Sequence, residues 1–135
     1  MMEFDAYLQL KKVEKRQPDE SLKKGLLSDA KERMLQIDVP GIKPKFKFEY
    51  AYESIREVAE ALLARDGFKT YSHEAALTYL KKLQLVNDPE LTTLDTCRIK
   101  RHDSKYYGLS IPDAEYEQLT TFLKLMFNKI EPRIK

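Results

Sequence analysis

Apolar residues recur along most of this chain at the spacing of a helix face. Leu22, Leu26, Ala30 and Ile37 predict a first long helix from about Pro18 or Asp19 to Ile37. Pro18 followed by Asp19 and Glu20 suits its start, because early acids meet the positive end of the helix dipole. Pro40, Gly41 and Pro44 then break the pattern. A second helix is predicted from about Phe46 to Arg65. Tyr52, Ile55, Ala59 and Leu62 form its stripe, Phe48, Ala51, Val58 and Leu63 widen it, and Gly67 supplies a left-handed stop. Ser72 is the expected N-cap of a third helix, which has Glu74 in its first turn and Ala76, Leu77, Leu80 and Leu83 on its apolar face.

Asn87-Asp88-Pro89-Glu90 is the sharpest punctuation in the chain. Asp88 is read as the cap and Pro89 as the first helical residue of a fourth helix, which ends near Tyr106 or Tyr107 before Gly108. Ser110-Ile111-Pro112-Asp113 opens a fifth, whose stripe of Leu119, Phe122, Leu123, Met126, Phe127 and Ile130 is the most regular of all. The first residues fit two patterns. Phe4, Tyr7 and Leu8 share a helical face, while Phe4, Ala6, Leu8 and Leu10 alternate like a strand. Residues 1–17 are therefore treated as an appended N-terminal arm and residues 18–135 as one domain. Helices with one apolar stripe each hide those stripes by mutual burial, so the fold expected is all-α, an antiparallel four- to five-helix up-and-down bundle.

Composition narrows the classes further. A chain of 135 residues fits a single domain, and its formal charge of +2 creates no field strong enough to name a partner. Four glycines and six prolines are too few for a turn-rich all-β fold, and leucine and alanine outnumber valine and isoleucine. No apolar run is long enough for a membrane span, and the acidic Met1-Met2-Glu3-Phe4-Asp5 start is unlike a signal peptide. A cytoplasmic protein without membrane contact is expected. Cys97 stands alone, and it forms no familiar metal spacing with His73 and His102, so neither zinc nor any other cofactor is expected. Walker, dinucleotide and nucleophile-elbow motifs are missing.

Chemistry concentrates on the fourth predicted helix. Leu91 and Leu94 begin an apolar stripe that continues as Arg98, Arg101, His102 and Lys105, with Tyr106 one turn beyond His102. At about 100° per residue, Arg98 and His102 lie roughly 40° apart around the axis. Guanidinium groups can grip a phosphate in bidentate geometry, and a neutral imidazole can take a proton from a hydroxyl. The set suits cleavage of an RNA phosphodiester by its own 2′-hydroxyl, and it suits plain phosphate binding equally well. A basic run at a helix C-terminus is also favoured by the dipole alone, and most such runs are simply solvated. His73 reads as a partly exposed polar residue of a first helical turn, and Cys97 as a small apolar side chain. Lys43, Lys45 and Lys47 interleave with Phe46 and Phe48, a weak hint of a nucleic-acid surface.

Two segments resemble a known family. Ala51-Tyr52-Glu53-Ser54-Ile55-Arg56-Glu57-Val58-Ala59-Glu60-Ala61-Leu62-Leu63, then Asp66-Gly67-Phe68 and Ser72-His73-Glu74-Ala75, look like the HEPN (higher eukaryotes and prokaryotes nucleotide-binding) domain. Arg98-Ile99-Lys100-Arg101-His102-Asp103-Ser104-Lys105-Tyr106-Tyr107-Gly108 is similar to its signature, in which an arginine precedes an Arg-Asn or Arg-His pair and a tyrosine follows. The resemblance implies a helical bundle, a homodimer, and a small nucleotidyltransferase-type protein partner in a prokaryotic toxin–antitoxin pair. It implies a nucleotide- or RNA-binding domain. The alternative is a metal-independent ribonuclease toxin, in which Arg98 and Arg101 hold the scissile phosphate with Lys105, His102 acts as general base or acid, and Tyr106 supports the site. The family's nuclease motif has four to six residues between arginine and histidine. Here three separate Arg98 from His102, and Arg101 is adjacent to the histidine.

Overall fold

The computed structural model describes residues 1–134. It is an all-α helical bundle with one small sheet. In chain order come α1 (Phe4–Gln9), β1 (Val13–Lys15), α2 (Glu20–Gln36), α3 (Pro44–Asp66), β2 (Phe68–Thr70), α4 (His73–Lys82), α5 (Asp88–Tyr107) and α6 (Asp113–Ile130), followed by a 3-10 turn over Glu131–Arg133.

Helix α3 is the axis of the bundle. Its neighbours are α2, α4, α5, α6 and β2. The eight residues expected to line its face are all buried at 2% exposure or less. Ser54, Glu57, Ala61 and Ala64 are buried as well, so the helix is enclosed on more than the side its stripe marked. Each large side chain removed from water here contributes about 1.5–3 kcal/mol. Alanines at 51, 59, 61 and 64 let neighbouring elements approach closely. Glu57 is held by Arg33 of α2, whose Nε donates at 2.6 Å. The Ser54 hydroxyl donates to the Tyr50 carbonyl.

The helix boundaries follow the expected punctuation, with local corrections. Ser72 caps α4 by accepting from the Ala75 amide, and Gly67 and Gly108 adopt the left-handed stop after α3 and α5. Asp19 caps α2 by accepting from the Leu22 amide. At α5 the cap is Asn87, not Asp88. Asn87 and Glu90 exchange side-chain and backbone hydrogen bonds in a capping box, which places Asp88 and Pro89 inside the first turn. Helix α2 buries Ala30 and Met34, with Ile37 just beyond, whereas Leu22 of the expected stripe remains half exposed.

Residues 1–17 are not an appendage. Phe4 and Tyr7 of α1 and Val13 of β1 are each 3% exposed and belong to the same core. The Phe4 ring packs against Phe68 at 5.5 Å and Tyr79 at 4.6 Å between centroids. β1 pairs antiparallel with β2, with Val13 opposite Thr70 and Lys15 opposite Phe68. Thr70 Oγ1 donates to the Lys12 carbonyl and accepts from the Ser72 amide. Of the two patterns in this segment, the helical one holds for Phe4, Tyr7 and Leu8, and the alternation of Phe4, Ala6, Leu8 and Leu10 does not form a strand; β1 lies further on, after Lys11 turns the chain at φ 60.

Gly67 is required for two reasons. Its φ is +84, and a Cβ would sit 2.8 Å from the Arg16 carbonyl oxygen. Gly25, exposed within α2, has open space around it. Gly67→Ala is expected to lose about 1–3 kcal/mol, whereas Gly25→Ala is expected to gain about 0.5–1 kcal/mol. Urea unfolding of both variants reads the two signs directly.

Candidate functional site

The C-terminal half of α5 carries different chemistry on two sides. Leu91, Leu94 and Cys97 fill the inward stripe of its first half. The Cys97 thiol is buried and pushed up to about 12 by that burial, which makes it inert packing. The same inward side continues as Arg101 and Ser104. Ser104 shares a 2.8 Å hydrogen bond with the Tyr116 hydroxyl of α6, and Lys100 forms an ion pair with Glu115.

Arg101 reaches α3. Its Nη2 lies 3.1 Å from Glu53 Oε1, and its guanidinium carbon is 5.7 Å from the centre of the Tyr52 ring. Glu53 Oε2 accepts from Arg56 Nη2 at 2.8 Å and Nε at 3.1 Å, while Arg56 Nη1 donates to Glu60. Glu53 Oε1 is buried and has no aligned hydrogen-bond donor, so Arg101 holds it by charge alone. Burial pushes the Glu53 carboxyl up, but the Arg56 hydrogen bonds and the Arg56 and Arg101 charges outweigh it and leave the group below its ordinary value. Arg98 turns to Asp95, its Nε donating at 2.7 Å.

Above this cluster sits His73, the first residue of α4. Its Nδ1 is 3.2 Å from the hydroxyl of the fully buried Tyr52. Burial lowers the imidazole pKa, the Arg56 charge lowers it further, and Arg101 and Arg98 act in the same direction against the opposing pull of Glu53. Burial, followed by the Glu53 charge, raises the Tyr52 phenol well above its ordinary range. Tyr52, Glu53, Arg56 and His73 were not chosen from the sequence as site residues. One signal was present: Glu53, Arg56 and Glu60 form a charged stripe at helical spacing beside the apolar face of α3.

His102 lies elsewhere. It is exposed and packs against two tyrosines, with its ring centroid 4.8 Å from Tyr106 and 5.6 Å from Tyr107. Both tyrosines are largely exposed. Lys105 Nζ stands 5.8 Å from the Tyr106 ring centre and enters no ion pair among the described residues. The expected site residues are thus divided. Arg98 and Arg101 are engaged by carboxylates, while His102, Lys105 and Tyr106 cluster at the free end of α5 with Tyr107. Beside that end, a groove of about 560 Å³ runs between Lys43, Pro44 and Lys45 at the start of α3 and Gly108–Ile111. Lys43 and Lys45 form no ion pairs among the described residues either.

Among the described residues, no group of three or more His, Cys, Asp or Glu side chains is placed to hold a metal ion. Among the same residues, no helix is long and apolar enough to cross a membrane. Comparison of the chain with protein-family models, with curated proteins and with solved structures finds no match.

The depressed His73 value has a stability consequence. Between it and the ordinary imidazole value of about 6.5, the unfolded chain binds the proton more readily than the folded one. The contribution of His73 is therefore complete above about pH 6.5 and is lost as pH falls through the folded value. Urea unfolding at pH 7.5 and 5.5 is expected to show a larger acid loss in the wild type than in His73→Asn. Equal losses would show that the imidazole does not titrate differently on folding.

Proposed function

We propose that this chain is a HEPN-like, RNA- or nucleotide-binding helical domain that contacts nucleic acid through the free end of α5. The observation that carries the reading is the exposed cluster of three aromatic rings, His102, Tyr106 and Tyr107, with Lys105 beside it. Exposed rings have faces on which bases stack, and nearby cations follow the phosphate backbone. The groove lined by Lys43 and Lys45 adds further positive charge next to the ring cluster. The resemblance of residues 51–75 and 98–108 supports the family reading, and with it a homodimer and a small nucleotidyltransferase-type partner in a toxin–antitoxin setting.

Binding is favoured over cleavage. The ribonuclease mechanism needs Arg98, Arg101 and His102 around one phosphate, and here both arginines are held by Asp95 and Glu53 while His102 faces the tyrosines. Pure protein is expected to bind a short labelled single-stranded RNA in the presence of EDTA and to leave it intact. Tyr106→Ala and Tyr107→Ala are each expected to weaken binding by about five- to a hundredfold, the loss of one stacked base. Affinity should fall steeply with salt. Fluorescence anisotropy and a denaturing gel measure both properties. No binding at low salt would end the proposal, and RNA cleavage abolished by His102→Ala would replace it with the nuclease.

A further inference from the structure

A second concave site lies away from α5. It is a cavity of about 350 Å³ between the segment after β1, the start of α2, the end of α3, and β2. The floor and walls are Leu22, Leu26, Leu63, Ala64 and Phe68. Leu22 is 49% exposed at the mouth.

The site is built on rigid backbone. Arg16 donates its amide to the Gly67 carbonyl at 2.8 Å, and Asp19 donates to Ala64 at 2.9 Å. With the β1–β2 ladder, these bonds hold three of the walls in place without a ligand. A volume near the lower end of small-molecule sites and a largely apolar lining are what a compact organic ligand needs.

The charges around the opening are unequally occupied. Asp19 is committed to capping α2, where it accepts from the Leu22 amide. Glu60 is committed to Arg56. Glu60 is thereby neutralised, and the positive end of the α2 dipole partly offsets Asp19. Lys69 has no ion-pair partner among the described residues and rests 5.0 Å from the Tyr71 ring centre. Arg16 holds only Glu14, and both side chains are about half exposed, so that pair is readily exchanged. Lys69 is thereby the charge at the mouth that neither an ion pair nor a helix end answers among the described residues.

We propose that this cavity binds a small organic carboxylate with an apolar, ring-sized body. The body lies between Leu22, Leu26, Leu63 and Phe68, and the carboxylate meets Lys69 with Arg16. The site is independent of nucleic-acid binding at α5 and would persist if that reading failed.

The probe is 1-naphthoate, with the isosteric alcohol 1-naphthylmethanol and the amine 1-naphthylmethylamine as neutral and cationic controls. Titration is followed by amide NMR shifts of the full chain. Saturable shifts at Leu22, Leu26, Ala64 and Phe68 are expected with the carboxylate, and much weaker ones with either control. Lys69→Gln together with Arg16→Gln should reduce naphthoate affinity about tenfold or more, the loss of charged hydrogen bonds. Leu22→Glu, at an exposed position that the fold does not need, should abolish binding. Spectra of each variant without ligand show whether the fold is kept. Absence of saturable shifts, equal affinity for all three probes, shifts confined to α5, or an unchanged affinity in the well-folded double variant would each overturn the proposal.

Discussion

A helix enclosed on most of its girth can carry polar groups only where a neighbouring element answers them, and α3 does so at several places. Glu57, 5% exposed, is answered by Arg33 from α2. Glu53 is answered by Arg56 within the helix and by Arg101 from α5. Leaving such a carboxylate buried and unpaired costs several kcal/mol, comparable to a large part of a domain's net stability. Apolar contacts set how closely α2 and α5 approach α3, whereas these carboxylates decide which arginine must lie where. The directional part of the bundle is electrostatic, although most of its driving force is burial of Phe48, Tyr52, Ile55 and Leu62.

That constraint explains how α5 is divided. Arg101 is drawn inward by Glu53 and the face of Tyr52. His102, about 100° further round the helix, is left outside, where only its own helix offers partners. Tyr106 and Tyr107 provide them. One short basic sequence thus serves two roles: half-buried mortar toward α3, and an accessible ring cluster toward solvent. His73 belongs to the first role, with its Nδ1 hydrogen-bonded to the Tyr52 hydroxyl between three arginines and one carboxylate.

The long helices were legible because periodic stripes and end residues agree. Ser72, Gly67 and Gly108 stand where a cap or stop is needed, and the stripe residues expected on α3 and most of those on α6 face inward. Asn87 was passed over for Asp88 because both are good caps, and only the reciprocal bond with Glu90 separates them. α1 stayed one of two alternatives and β1 was not read, for a different reason. Six residues and three residues are too few for a period to show, and their stability comes from partners such as Phe68 and Tyr79 far along the chain. The site was legible in residue type but not in geometry. Arg98 and His102 do share a helical side by spacing, but a long flexible side chain goes where its counter-charge lies. Asp95 is local to Arg98 and could be read, whereas Glu53 lies on another helix and could not.

The clasp between β1 and β2 joins segments more than fifty residues apart, with two whole helices made in between. During synthesis at about 5–20 residues per second, the first strand leaves the ribosome some seconds before its mate exists. Phe4, Tyr7 and Val13 spend that interval without their core. The rings of this segment therefore wait for Phe68 and Tyr79 before they can be buried, and a chaperone that binds nascent apolar segments would find them accessible in that interval.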